Sequence, residues 1–328
     1  MNYELSGKIL QEIHKASKIL INCHRSPDPD GIASALSIYY VLTRMGKDVR
    51  VVSPDGVTPD CLFLNSSEKI GKTDFDKFDF RKYDLLIIVD AGNWDQVTGR
   101  ENIKSSGIKT VVIDHHITNP DYGAINLVDK KASSNCEVLF RIFEDWEVEL
   151  SGELSTILLT GIIADTVCFQ ADGLTSKVFK ISEELMNKGA DKNLIIFNLY
   201  KSQSIGKLKL MGRILEKIQI DGNYNFVWSA ISKSESKKYL DSQDAKSIAA
   251  SLFAGSVKNT DFGIFMIEAE DSLSLSFRSR TGFDVSPIAE ELGGGGHKAA
   301  AGAKIVGLPF GKAVDKVLGV ARKYAKRN

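Results

Sequence analysis

Three apolar runs in the first half of the chain stop at residues able to hold a metal ion. ILINC is followed by His24, LLIIV by Asp90, and TVVI by Asp114, with His115 and His116 directly behind. The first run opens into HRSPDPDG, where Asp28 and Asp30 stand two residues apart. Pro27 and Pro29 restrict that loop and Gly31 permits a tight entry into a following helix, so two carboxylates can be aimed at once. The same stretch also reads as a helix cap with acids favoured by the helix dipole. A fourth group comes from TGIIADTVCFQ, where Asp165 ends an apolar helical run and therefore opposes the dipole at that end. Mixed carboxylate and imidazole donors suit Mn²⁺, with Mg²⁺ or Co²⁺ as less specific occupants, and the lack of a thiolate set argues against structural zinc. So many acids gathered in one pocket would repel one another unless cations neutralised them, and their number points to two ions.

These residues lie far apart in sequence, so the elements between them must bring them together. Short apolar runs alternate with helical patterns: 18–24, 31–46, 48–53, 84–90 and 109–114. LLIIV and TVVI are apolar at consecutive positions, as expected of strands covered on both faces in a parallel sheet. The first half is thus expected to be an α/β domain with a doubly wound, mostly parallel sheet. Ligands of such sheets bind beyond the carboxyl ends of the strands, which is where His24, Asp90 and Asp114 fall. Helical patterns at 133–146, 152–165 and 175–190 complete this domain over residues 1–190. Residues 191–215 are helical in pattern but broken by Ser202, Ser204 and Gly206, and read as an interdomain linker. Residues 216–328 carry strand patterns (224–232, 262–270, 273–279), a helix at 243–253 and a closing helix, a smaller α+β domain with a cleft expected between the two.

Two features of the second half could meet a substrate. In SLSLSFRSR the alternation puts Leu273, Leu275 and Phe277 on one face, and Ser274, Ser276 and Arg278 on the other. The planar fork of Arg278 suits phosphate, although a surface pair with a carboxylate is the ordinary use of such a residue. GGGGH, residues 293–297, lies between an apolar helix and the small-residue stretch HKAAAGAKIV, a poor place for a flexible linker. Exposed backbone N–H groups at a helix start there would make an anion site.

Composition excludes several classes. With 42 Lys plus Arg against 42 Asp plus Glu, the chain lacks the basic excess of proteins that track long nucleic acids. Short anionic substrates stay open. Cys23, Cys61, Cys136 and Cys168 are widely spaced with no CxxC, which fits a reducing cytoplasm rather than a disulfide framework. The N-terminus breaks its apolar positions with Lys, Glu, Gln and His, so neither a signal peptide nor a membrane span is expected.

HRSPDPDG, IIVDAG, VIDHH and GIIADTVCF, in that order, resemble the motifs of the DHH phosphoesterase superfamily, and FRSR followed by GGGGHKAAAGA resembles its DHH-associated domain. Length and domain order are closest to a subgroup of oligoribonucleases that also act on phosphoadenosine phosphate (pAp). The resemblance implies that His24 and Asp28 hold one ion, Asp30, His115 and Asp165 the other, and that Asp90 bridges them. Asp114 would orient a histidine ring, as metal-bound imidazoles require, and His116 would face the substrate phosphate. Ser134, Arg278, Gly294, Gly295, Gly296 and His297 would contact substrate. Two departures stand out: Ala33-Ser34 replaces a usual Gly-Ser, and Asn135-Cys136 stands where small hydroxyl residues are common. Trp94 reads as a surface packing residue, and Asp95 as one further acid near the site.

The expected activity is two-metal hydrolysis of short RNA or DNA oligonucleotides to mononucleotides, and of pAp to AMP. No long duplex and no membrane is expected as partner; a homodimer is suggested only by the resemblance. Rival readings are an inorganic pyrophosphatase, against which GGGGH argues, a phosphodiesterase for linear products of cyclic dinucleotides, and a non-catalytic nucleotide sensor, which should have lost ligands. A dinucleotide-dependent oxidoreductase would need GxGxxG where the chain has HRSPDPDG.

Overall fold

A computed structural model describes residues 2–171, 174–239, 253, 255–296 and 298–326. The chain divides into two compact units, Met1–Ser202 and Gln203–Asn328.

The first unit is built on six strands: β1 (Lys18–Asn22), β2 (Asp48–Ser53), β3 (Ile70–Lys72), β4 (Leu85–Val89), β5 (Lys109–Asp114) and β6 (Ile125–Val128). They lie in the order β3-β2-β1-β4-β5-β6, and every pairing is parallel. All five residues of β4 are buried, as the unbroken LLIIV run requires. Alternate side chains serve opposite faces. Ile19, Ile21, Leu85, Ile87 and Val89 enter the larger core, whereas Leu20, Leu86 and Ile88 enter a smaller one with Phe75, Phe80 and Trp94. Burying each such aliphatic side chain contributes roughly 1.5–3 kcal/mol.

Helices α1 (Glu4–Lys15), α2 (Pro29–Arg44), α4 (Asn135–Asp145), α5 (Gly152–Asp165) and α6 (Ser176–Asn187) supply the larger core, while the short α3 (Trp94–Thr98) supports the opposite face. α5 is apolar almost all round and is buried from Leu154 to Ile163 except at Thr156. A helix with no polar face has to be covered on every side. Trp94, expected at the surface, is only 8% exposed and packs edge-on against Tyr122 at 5.9 Å.

The chain runs outward from β1 through β2 to β3, then returns to start the other half at β4. The β1–β4 boundary is therefore the switch point of the sheet, where a crevice opens beyond the strand ends. Register places Asn22 opposite Ile88 and Val89 opposite Ile113, so the residues just past these positions converge.

The second unit holds a sheet in the order β11-β12-β10-β9-β8-β7, from β7 (Gln219–Ile220), β8 (Phe226–Ile231), β9 (Phe262–Glu268), β10 (Ser272–Ser279), β11 (Gly295–Gly296) and β12 (Ala300–Val306). As the alternation of β10 predicts, Leu273, Leu275 and Phe277 are buried on one face, against the helices Ser286–Glu291 and Phe310–Tyr324. The other face packs on the helix Ile205–Glu216 through Leu210 and Ile214. The second half of the expected 191–215 linker is consequently a core helix of this unit; Leu210 and Ile214 recur at helical spacing and find the sheet. Of the helix expected at 243–253, all but Phe253 lies outside the described residues.

Candidate metal centre

Asp90 follows β4 in a left-handed conformation, φ 55°, which an Asp tolerates better than a branched residue. It is 3% exposed. His24, just past β1, brings Nε2 to 3.6 Å from Asp90 Oδ2 and 3.8 Å from Asp28 Oδ1. On the other side of Asp90, His115 Nε2 lies 3.4 Å from Asp90 Oδ1 and 3.4 Å from Asp165 Oδ2. The ligand-capable atoms fall into three sets, each within 4.8 Å: His24, Asp28 and Asp90; Asp30, His115 and Asp165; and Asp90, His115 and His116. The four segments expected to converge do so.

Asp28 serves in two ways. It caps α2, accepting from the Gly31 N–H at 2.9 Å, and its other contacts face His24. Asp30, two residues on, is 1% exposed, and its two oxygens accept from the backbone N–H groups of Asn135 at 2.6 Å and Cys136 at 3.1 Å. These are the first residues of α4, whose unpaired N–H groups and dipole favour a carboxylate. That support was not legible beforehand, since backbone donors leave no residue signature. Asp165 closes α5 and faces His115. His115 Nδ1 lies 3.4 Å from the Ala132 carbonyl.

Asp114 is fully buried and accepts from the His116 ring at Nδ1 (2.7 Å), the His115 backbone N–H (2.8 Å) and Asn119 Nδ2 (2.6 Å). The ring it orients is thus that of His116. With Nδ1 committed to Asp114, His116 has Nε2 left for another partner, and its side chain is 37% exposed.

The charges strain against one another. Burial disfavours the imidazolium form of His24, but Asp28 and Asp90 outweigh it and push that group up to about 11. Burial likewise opposes charging of His115, and Asp90, Asp30 and Asp165 raise it to about 11. Burial pushes Asp165 up to about 7, with Asp90 and Asp28 adding to the effect against His115. Burial together with Asp90 and Asp165 raises Asp30 well above the carboxylate range. Asp90 itself is held low, its burial overcome by His115 and His24.

Donor chemistry and satisfaction both fit divalent cations. The set is nitrogen and oxygen only, as Mn²⁺ or Mg²⁺ prefer. His24 Nε2 and Asp90 Oδ1 are buried without a hydrogen-bond partner, a costly condition for polar atoms unless they bind something.

The expected substrate contacts fare differently. Ser134 is fully buried and spends its hydroxyl capping α4, accepting from the Glu137 N–H at 3.0 Å. Asp95 lies 3.4 Å from Arg25. Arg278 is half-buried on the polar side of β10, donating to the Phe277 carbonyl at 3.0 Å, and pairs with no carboxylate among the described residues. The glycines do not begin a helix. Gly295 and Gly296 form the edge strand β11 against β12, and a Cβ at Gly294 would sit 2.1 Å from the Gly302 carbonyl oxygen. Close backbone approach, not flexibility, accounts for that glycine. His297 lies outside the described residues.

Comparison with known proteins is consistent with this geometry. Residues 18–162 match the DHH family N-terminal domain and residues 224–327 the DHHA1 domain. A bifunctional oligoribonuclease and PAP phosphatase NrnA of Thermus thermophilus is 27% identical over 325 residues, 98% of this chain and 94% of that one. The protein of the same name from Bacillus subtilis is 24% identical, covering 92% and 93%. The crystal structure of an exopolyphosphatase-related protein from Bacteroides fragilis superposes with a TM-score of 0.88 at 27% identity, over 97% of this chain and 96% of that one.

Proposed function

The chain carries the DHH family N-terminal domain followed by a DHHA1 domain, and on that premise we propose that it is a metal-dependent phosphoesterase. Its substrates are short oligonucleotides, hydrolysed to mononucleotides, and pAp, hydrolysed to AMP. The observation that carries this reading is Asp90, a buried carboxylate set between two ligand groups, with one oxygen facing His24 and the other facing His115. His24, Asp28 and Asp90 would hold one cation, and Asp30, His115, Asp165 and the shared Asp90 a second. Two Mn²⁺ fit best, with Mg²⁺ or Co²⁺ as alternatives. Such a pair supplies Lewis acidity toward water and phosphate, so no Ser or Cys nucleophile is required.

The remaining work falls to the chain's own residues. Asp114 fixes His116 and raises its basicity, so that Nε2–H can donate to a phosphate oxygen as charge develops there. In the second unit Arg278 offers a half-buried guanidinium with no carboxylate partner among the described residues, and its fork matches phosphate. Gly294, Gly295, Gly296 and His297 of the same unit are the further candidates for contact with a nucleotide. Similarity to oligoribonucleases that are also PAP phosphatases supports this class of substrate; similarity to an exopolyphosphatase-related protein makes polyphosphate a necessary control. An assay with Mn²⁺ across di- to decanucleotides, pAp, pyrophosphate and polyphosphate tests the reading. Cleavage of dinucleotides and pAp that vanishes in Asp90→Ala supports it. Phosphate release from pyrophosphate or polyphosphate alone would overturn it.

A further inference from the structure

We propose that Asn119 and Tyr122 are positioning residues for Asp90, gripping the backbone of the turn that aims its carboxylate; this rests on the metal-centre reading above. Asp90 must place two oxygens toward two ligand groups from a backbone at φ 55°. A left-handed non-glycine residue is disfavoured by roughly 1–2 kcal/mol and persists only where its surroundings fix it. Four hydrogen bonds do so here. The Asp90 N–H donates to the Ile113 carbonyl at 3.0 Å. The next carbonyl, that of Ala91, accepts from the Tyr122 hydroxyl at 2.6 Å and from Asn119 Nδ2 at 3.4 Å. The Gly92 N–H donates to Gln96 Oε1 at 2.6 Å.

Asn119 does more than hold the turn. The same amide nitrogen donates to Asp114 Oδ2 at 2.6 Å, and Asp114 Oδ1 receives the His116 ring. The Asn119 backbone N–H also returns to the His116 carbonyl at 3.2 Å, and its Oδ1 accepts from the Asp121 N–H at 2.8 Å. Asn119 is 4% exposed and thereby joins the loop carrying Asp90 to the loop carrying His115 and His116. Tyr122 is anchored by its ring against Trp94, at 5.9 Å between centroids, which fixes where its hydroxyl points. Ligands on two separate loops stay in register only if the loops are tied, and errors of about 0.5 Å are enough to spoil such a site. Groups behind the ligands commonly set metal affinity by 10–100-fold.

The test is Mn²⁺ binding alone, followed by the electron paramagnetic resonance of free ion, in the full chain and in Tyr122→Phe, Asn119→Ala and Ser106→Ala. Ser106 bonds the Thr110 hydroxyl at 2.9 Å and both backbone groups of Ile108, away from the turn, and controls for loss of a buried hydroxyl's hydrogen bonds. Tyr122→Phe removes a single oxygen and should fold. Both clasp variants are expected to weaken Mn²⁺ binding about 10-fold or more, with Ser106→Ala binding as the parent does while losing comparable thermal stability. Parent-like binding by Tyr122→Phe and Asn119→Ala would overturn the clasp and leave the metal centre standing. A parent chain that binds no Mn²⁺ would overturn the metal centre, and the clasp with it.

Discussion

Asp30 shows how tightly individual residues are committed in the centre. Its carboxylate is enclosed between α2 and α4, and α5 passes so close that a Cβ at Gly161 would lie 2.3 Å from both Asp30 Oδ1 and Cys136 Sγ. No side chain fits there without displacing the carboxylate. Gly161→Ala is expected to destabilise by about 1–3 kcal/mol through overpacking, and to weaken Mn²⁺ binding. Urea unfolding and metal titration check the two effects separately. The protons held in the metal-free centre give a second expectation. With His24 and His115 raised to about 11, both rings carry a proton at neutral pH, and a cation must displace it. Asp30 and Asp165, also raised, give up protons as well, so binding should release upward of about two protons at pH 7 and tighten as pH rises from 6 to 9. Calorimetry in buffers of different ionisation enthalpy counts them; binding with no proton release would contradict the assignment of both rings as ligands.

At the scale of elements, the turn after α5 stores strain. Val167, Cys168 and Phe169 are all left-handed, with φ of 49°, 55° and 63°, and Val is the least suited because it is β-branched. The Thr166 hydroxyl holds the turn by accepting from the Phe169 N–H at 3.0 Å. Val167→Gly should relieve more than the glycine's added unfolded-state entropy costs, stabilising by roughly 0.5–1 kcal/mol; denaturant unfolding measures it. In the second unit, Glu235 completes a capping box with Ser232 and binds Arg213 and Lys217 at the end of the helix Ile205–Glu216. Burial works against its charge, but Lys217, the Ser232 N–H and Arg213 draw it down to about 2 from an ordinary 4.5. A depressed carboxylate stabilises fully above its unfolded value, and that stability is lost as pH falls through the folded one. The stability gap between the parent and Glu235→Gln should therefore be open at pH 6 and close between about pH 4.5 and 2. An unchanged gap at pH 2 would contradict the pairing.

Across the whole molecule, legibility followed from what each element leaves in the sequence. β1, β4 and β5 were readable because strands buried on both faces must be apolar at every position, and the residues after them were exposed as candidates by that contrast. The candidate ligands could be named because they are side chains, and the structure brings them within 4.8 Å of one another in three groups. The supports could not: Asp30 is held by backbone N–H groups of α4, and Ala91 is gripped through its carbonyl, neither of which has a residue type. Ser134 misled because a buried cap and a substrate hydroxyl look the same in sequence. GGGG carries no periodicity, so the edge strand that Gly295 and Gly296 form against β12 leaves no sign in the sequence. The helix Ile205–Glu216 reads as linker in the sequence because Ser202, Ser204 and Gly206 break the pattern just ahead of Leu210 and Ile214, which bury it in the second unit. No helix among the described residues is long and apolar enough to cross a membrane.

Crystals soaked in Mn²⁺ and measured near the manganese absorption edge put the central claim to the most direct trial. Two anomalous peaks are predicted, both coordinated by Asp90, one also by His24 and Asp28 and the other by Asp30, His115 and Asp165. Peaks that avoid Asp90, or a single ion bound elsewhere on the chain, would contradict it.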